Sequence, residues 1–115
     1  MHELAICQAL VAQVEDIARQ RAARVGRVRL AVGPLSGVEP ALLEQAYPFA
    51  CAGSDAEGSA LEIAAAPVRV RCRSCGAEST ASANRLLCGA CGDWRTELVS
   101  GDELLLVNVE LCIDV

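Results

Sequence analysis

Lysine is absent from the chain, histidine occurs once, and aromatic residues make up only 3% of its 115 residues. With so few aromatic residues, the core must be built from Leu, Val, Ile and Ala. No apolar run approaches the ~20 residues that a membrane-spanning helix needs. The opening residues Met1-His2-Glu3 show neither a basic patch nor an apolar stretch before a small-residue cleavage site. No secretory signal is therefore expected, and the reading is a cytoplasmic protein without membrane partners. All ten cations are arginine and face fifteen acids, a net charge of −5 that does not favour general attraction to nucleic acid or anionic lipid. One terminal His leaves no material for a Ser/His/Asp arrangement, and there is no phosphate-binding glycine loop, so no enzyme is read here.

Apolar residues are plentiful at 53%, which excludes global disorder, and the length suits one domain carrying a small inserted module. Leu4, Cys7, Leu10, Val11, Val14, Ile17 and Ala18 recur at three- and four-residue steps and predict an amphipathic helix over 3–25, stopped by Gly26. Val28 to Val32 alternates as a half-buried strand does. A second helix is expected to open at Pro40 and to kink or end at Pro48, which lacks an N–H and whose ring clashes with the Glu44 carbonyl. Leu61 to Ala65 reads as a second strand, closed by Pro67. Leu104 to Ile113 reads as a third, with Leu105, Val107, Val109 and Leu111 on one face.

Between the last two strands the composition changes. Residues 68–98 hold four cysteines and five arginines with almost no apolar periodicity. The fold class expected is α+β: two helices packed on a three-stranded sheet (residues 1–67 and 99–115), with an inserted four-cysteine zinc-ribbon module at 68–98. Cys72-Arg73-Ser74-Cys75 and Cys88-Gly89-Ala90-Cys91 stand twelve residues apart. Each turn sets two sulfurs on one side of the backbone, and two such turns make a tetrahedral thiolate cage for Zn²⁺. Gly76 and Gly92 follow each pair, where a tight knuckle favours a residue without Cβ. Disulfides or redox pairs are the rival reading, but neither pair opens a helix in a βαβ unit. Four protein ligands close the site, so the zinc is structural. A ribbon adaptor binding nucleic acid or protein is the alternative function. The module's five arginines and three acids leave +2, which the −2 of zinc with four thiolates offsets. Cys7, Cys51 and Cys112 read as small buried hydrophobes.

Position 2 admits two readings, a frayed terminus or a chelate. Met1 should be retained, since the aminopeptidase that removes it prefers a small second residue. The Met1 amine, backbone amides left free at a helix start and the His2 imidazole then form fused rings of nitrogen donors, the square-planar set that Ni²⁺ or Cu²⁺ takes. The positive end of the helix opposes a cation there, and Glu3, with Glu39, would offset it.

The Met1-His2-Glu3 start together with the Cys-x2-Cys-x12-Cys-x2-Cys insertion before a final strand resembles the HypA/HybF family. The likeness spans the chain, through Val32-Gly33, Ser36-Gly37-Val38, Leu61-Glu62-Ile63 and Leu111-Cys112-Ile113-Asp114-Val115. It implies a nickel metallochaperone for [NiFe]-hydrogenase maturation, some members also serving urease. His2, with the Met1 amine and the Glu3 backbone, would bind Ni²⁺ as transient cargo, supported by the Glu3 and Glu39 carboxylates. Cys72, Cys75, Cys88 and Cys91 would hold zinc. The partners implied are a HypB-type GTPase and the hydrogenase large subunit, with the chain a monomer or weak homodimer. Pro48 departs from the family pattern and puts the length of the second helix in question.

Overall fold

A computed structural model of the chain describes residues 2–113. Its elements run α1 (His2–Gln20), β1 (Arg24–Val32), α2 (Pro40–Cys51), β2 (Ala60–Ala65), β3 (Arg69–Cys72), β4 (Glu78–Thr80), β5 (Thr96–Ser100) and β6 (Leu104–Cys112). They form two three-stranded sheets, ordered β2-β1-β6 and β4-β3-β5. The chain divides into two compact units, one of Met1–Leu30, Val38–Ile63 and Leu106–Val115, the other of Ala31–Gly37 and Ala64–Leu105.

In the first unit the expected helical stripe is the buried one. Cys7, Leu10, Val11, Val14 and Ala18 of α1 are buried, as are Leu43, Tyr47 and Cys51 of α2 and Val25, Val28 and Leu30 of β1. The two helices pack together, and the Cys7 thiol donates to the Leu43 carbonyl at 3.5 Å. The opposite face of the sheet is polar: Arg29 pairs with Glu62 at 2.8 Å and Arg27 with Glu110 at 3.5 Å. These cross-strand pairs sit in solvent and add little individually.

α1 ends at Gln20, five residues before the position read from the sequence, and Gly26 lies inside β1 instead of stopping the helix. The stop is a left-handed residue at Ala22, φ 51°. The Ala23 amide reaches back to the Ala18 carbonyl and the Ala22 amide to Arg19, the pair of bonds that closes a helix in a Schellman motif. Gly26 serves the strand, since a Cβ there would lie 2.7 Å from the Cys112 sulfur. Pro48 does not end α2, which runs on to Cys51. The missing donor falls in the last turn, and the buried side chains of Tyr47 and Cys51 on either side hold that turn in place.

In β6 the expected apolar face is only partly covered. Leu105 and Val107 are exposed, and Val109 and Leu111 are half-buried. In the second unit the segment with almost no apolar periodicity forms an antiparallel sheet, Arg71 standing opposite Glu78 on β4 and Glu97 on β5. The sequence signal was there: Arg69, Arg71 and Arg73 alternate with buried Val70 and Cys72.

Candidate metal centres

The end of β3 delivers Cys72 to a turn, and the loop before β5 delivers Cys88 to a second. The four sulfurs of Cys72, Cys75, Cys88 and Cys91 lie within 4.8 Å of one another, with Cys72 to Cys91 and Cys75 to Cys88 both at 3.6 Å. Zinc–sulfur bonds of ~2.3 Å at tetrahedral angles require sulfurs roughly 3.8 Å apart, so the donor set fits zinc.

The two turns repeat one another. The Ser74 and Cys75 amides donate to the Cys72 sulfur at 3.3 and 3.4 Å, and the Ala90 and Cys91 amides donate to the Cys88 sulfur at the same distances. Gly76 and Gly92 close the turns at φ 76° and 77°, the positive values for which the sequence reading reserved them. Their amides return to the Cys72 and Cys88 carbonyls.

These amides set the charge of the cage. The Cys91 amide, then that of Ala90, pulls the Cys88 thiol down to about 6, and the Cys75 and Ser74 amides lower Cys72. Cys91 takes an amide from Asp93, yet the neighbouring sulfurs, first Cys72, push it up to about 12. Four thiolates this close cannot all ionise near neutral pH without a cation among them. The geometry therefore calls for a metal ion, and the closed ligand set gives that ion a structural part.

Sequence reasoning missed Asp93. Its carboxylate accepts from the Ser74 hydroxyl in the first turn and from the Arg95 amide at 2.9 Å, and it takes the Arg95 guanidinium at 3.0 Å. Its backbone carbonyl accepts from the Cys88 amide. One residue thus ties both turns to the start of β5, and Arg95 holds its carboxyl well below the usual range. The available signal was an acid directly after the glycine of the second turn.

The residues assigned to nickel lie in the other unit. His2 is exposed at the first position of α1, and Glu3 follows it in the first turn. Met1 lies outside the described residues. Glu39 is the N-terminal cap of α2; its carbonyl accepts the Leu42 and Leu43 amides, and its own amide donates to the Glu3 carboxylate at 3.4 Å. The Glu3 carboxyl is held below its usual range by its own backbone amide and then, against some desolvation, by that of Glu39. Glu39 thus meets Glu3 through its backbone, and its side chain makes no capping bond. Cys7 and Cys51 are buried, as expected of packing residues, and burial pushes up their thiols. Cys112, read as buried, is exposed. Among the described residues, no helix is long and apolar enough to cross a membrane.

Residues 1–111 match the family model described as HypA, hydrogenase/urease nickel incorporation, metallochaperone. The hydrogenase maturation factor HypA of Nitrosospira multiformis is 55% identical over 112 residues, covering 96% of this chain and 97% of that protein. Its counterpart in Aquifex aeolicus is 38% identical over 115 residues, covering 99% and 100%. The solution structure of the Ni metallochaperone HypA from Helicobacter pylori superposes with a TM-score of 0.68 at 22% identity, over 97% of this chain and 98% of that one, a likeness of fold.

Proposed function

Because the chain belongs to the HypA family, we propose that it is a nickel metallochaperone of hydrogenase maturation, working without catalysis of its own. The cargo site is His2, with the Met1 amine and the Glu3 backbone as further nitrogen donors and the Glu3 and Glu39 carboxylates offsetting the ion's charge. The observation that carries this is the bond from the Glu39 amide to Glu3. It ties the first turn of α1, with the chain's one imidazole, to the start of α2 while His2 stays in solvent. A site that must release its ion needs that exposure.

The four cysteines hold zinc, which supplies the folding energy of residues 68–98, a segment too small to stabilise itself by burial. Residues 1–67 with 99–115 form the nickel domain. The protein works in the cytoplasm as a monomer or weak homodimer, taking part with a HypB-type GTPase in loading the hydrogenase large subunit. Ligation displaces protons from imidazole and amides, so nickel affinity falls on acidification.

Metal analysis of protein produced with nickel supplied tests this reading. One zinc that resists a chelator and one nickel that the chelator removes are expected per chain. Zinc alone, or nickel held as firmly as zinc, contradicts it.

A further inference from the structure

Trp94, the chain's one tryptophan, is 75% exposed on the loop entering β5. Arg73, Arg95 and Thr96 join it in lining a cleft of about 420 Å³ in the second unit. The backbone beneath is firm, because the Arg73 amide donates to the Arg95 carbonyl at 2.9 Å. Asp93 fixes the Arg95 guanidinium from one side. Arg73 is exposed and has no carboxylate partner among the described residues. Two nearby acids are taken, Asp93 by Arg95 and Glu78 by Arg71, while Glu97 stands opposite Arg71 in register and not opposite Arg73.

The cleft opens at the start of an unpaired strand edge. Among the described residues β5 is the last strand of its sheet and pairs with β3 alone, and Leu98 and Val99 along it are exposed. Beyond Thr96, whose amide donates to the Trp94 carbonyl, such an edge presents amides and carbonyls to an extended chain. A flat indole face takes an apolar or aromatic side chain, and a free guanidinium takes a carboxylate by paired bonds.

We infer that this cleft docks an extended acidic peptide of a partner protein. A carboxylate seats on Arg73, a neighbouring apolar side chain covers Trp94, and the peptide main chain adds to the outer edge of β5. A nucleic-acid strand fits less well, since one aromatic ring and one free cation offer neither successive stacking nor phosphate neutralisation, and the whole chain carries −5. The site belongs to the second unit alone and stands or falls independently of nickel binding.

Trp94 is its own reporter. A short capped peptide of alternating valine and aspartate, titrated into the zinc-loaded protein, should shift the indole emission to the blue along a saturable isotherm that weakens with salt. Arg73→Gln should reduce affinity about tenfold or more, the worth of one hydrogen-bonded charge, while zinc content and circular dichroism stay unchanged. The same peptide with lysine for aspartate should leave the emission unmoved. The proposal fails if the acidic peptide gives no saturable change up to millimolar concentration, or if Arg73→Gln binds it as the wild type does. It also fails if a single-stranded oligonucleotide binds more tightly than the peptide.

Discussion

Ala22 stops α1 in a conformation that costs a residue with a Cβ roughly 1 kcal/mol and costs glycine almost nothing. Ala22→Gly should therefore raise stability by about 0.5–1 kcal/mol, read as a higher urea midpoint at unchanged slope. Gly33 presents the opposite case. A Cβ there would lie 2.0 Å from the Gly101 carbonyl oxygen, a backbone atom that cannot swing aside. Gly33→Ala should cost about 3 kcal/mol or more by the same measurement. Neither effect was legible in the sequence. An alanine gives no local sign of a positive φ, and the backbone that a Cβ at Gly33 would strike belongs to Gly101, far along the chain. Gly76 and Gly92 were legible, since a glycine after each cysteine pair has a reason inside the turn itself.

At the scale of elements, local pattern decided what could be read. The face of α1 follows from its period and the strand β1 from its alternation, whereas in α2 Leu43 and Tyr47 are buried and Leu42 is exposed. The end of α1 did not, because Gly26 suits a helix stop, whereas the residues around it join β1 through tertiary pairing. Strands β3 to β5 carry a weak apolar signal because they are three to five residues long, β3 alternating arginine with valine and cysteine and β4 holding no apolar residue at all. Pro48 is tolerated because its cost falls in the last turn of α2. That turn is held by Tyr47, whose hydroxyl lies 2.7 Å from that of Ser59. Burial raises the Tyr47 phenol well above its usual value. The folded state thus favours the protonated phenol, a contribution complete below the unfolded value of ~10 and lost as pH rises beyond it. In alkaline titration the phenolate absorbance of this single tyrosine should lag behind that of free tyrosine and rise together with unfolding. Titration at the free value with the fold intact would show that Tyr47 is not held in the core. Tyr47→Phe should cost ~1 kcal/mol at neutral pH through the lost hydroxyl bond.

For the whole molecule, the division of labour was readable from the two motifs and their separation along the chain. The cage geometry agrees with the cysteine spacing, because each knuckle is a local structure whose sulfurs are placed by the amides of its own turn. What spacing could not supply was the strap between the knuckles by Asp93 and the link from Glu39 to Glu3, both contacts between distant segments. Cys91→Ser should remove zinc and open the β3-β4-β5 sheet, because a three-thiolate cage no longer satisfies the ion, while α1 and α2 keep their protection from amide exchange. A variant that retains stoichiometric zinc would overturn the four-cysteine assignment. The central claim is that cargo and structural metals occupy separate sites, the first built on the chain's opening residues. Calorimetric titration of Ni²⁺ into the zinc-loaded wild type, His2→Ala and a form with one extra N-terminal residue tests it most directly. Nickel binding should be abolished in both altered proteins, with zinc and circular dichroism unchanged, because one loses the imidazole and the other separates it from the terminal amine. A His2→Ala protein that binds nickel as tightly as the wild type would contradict the account.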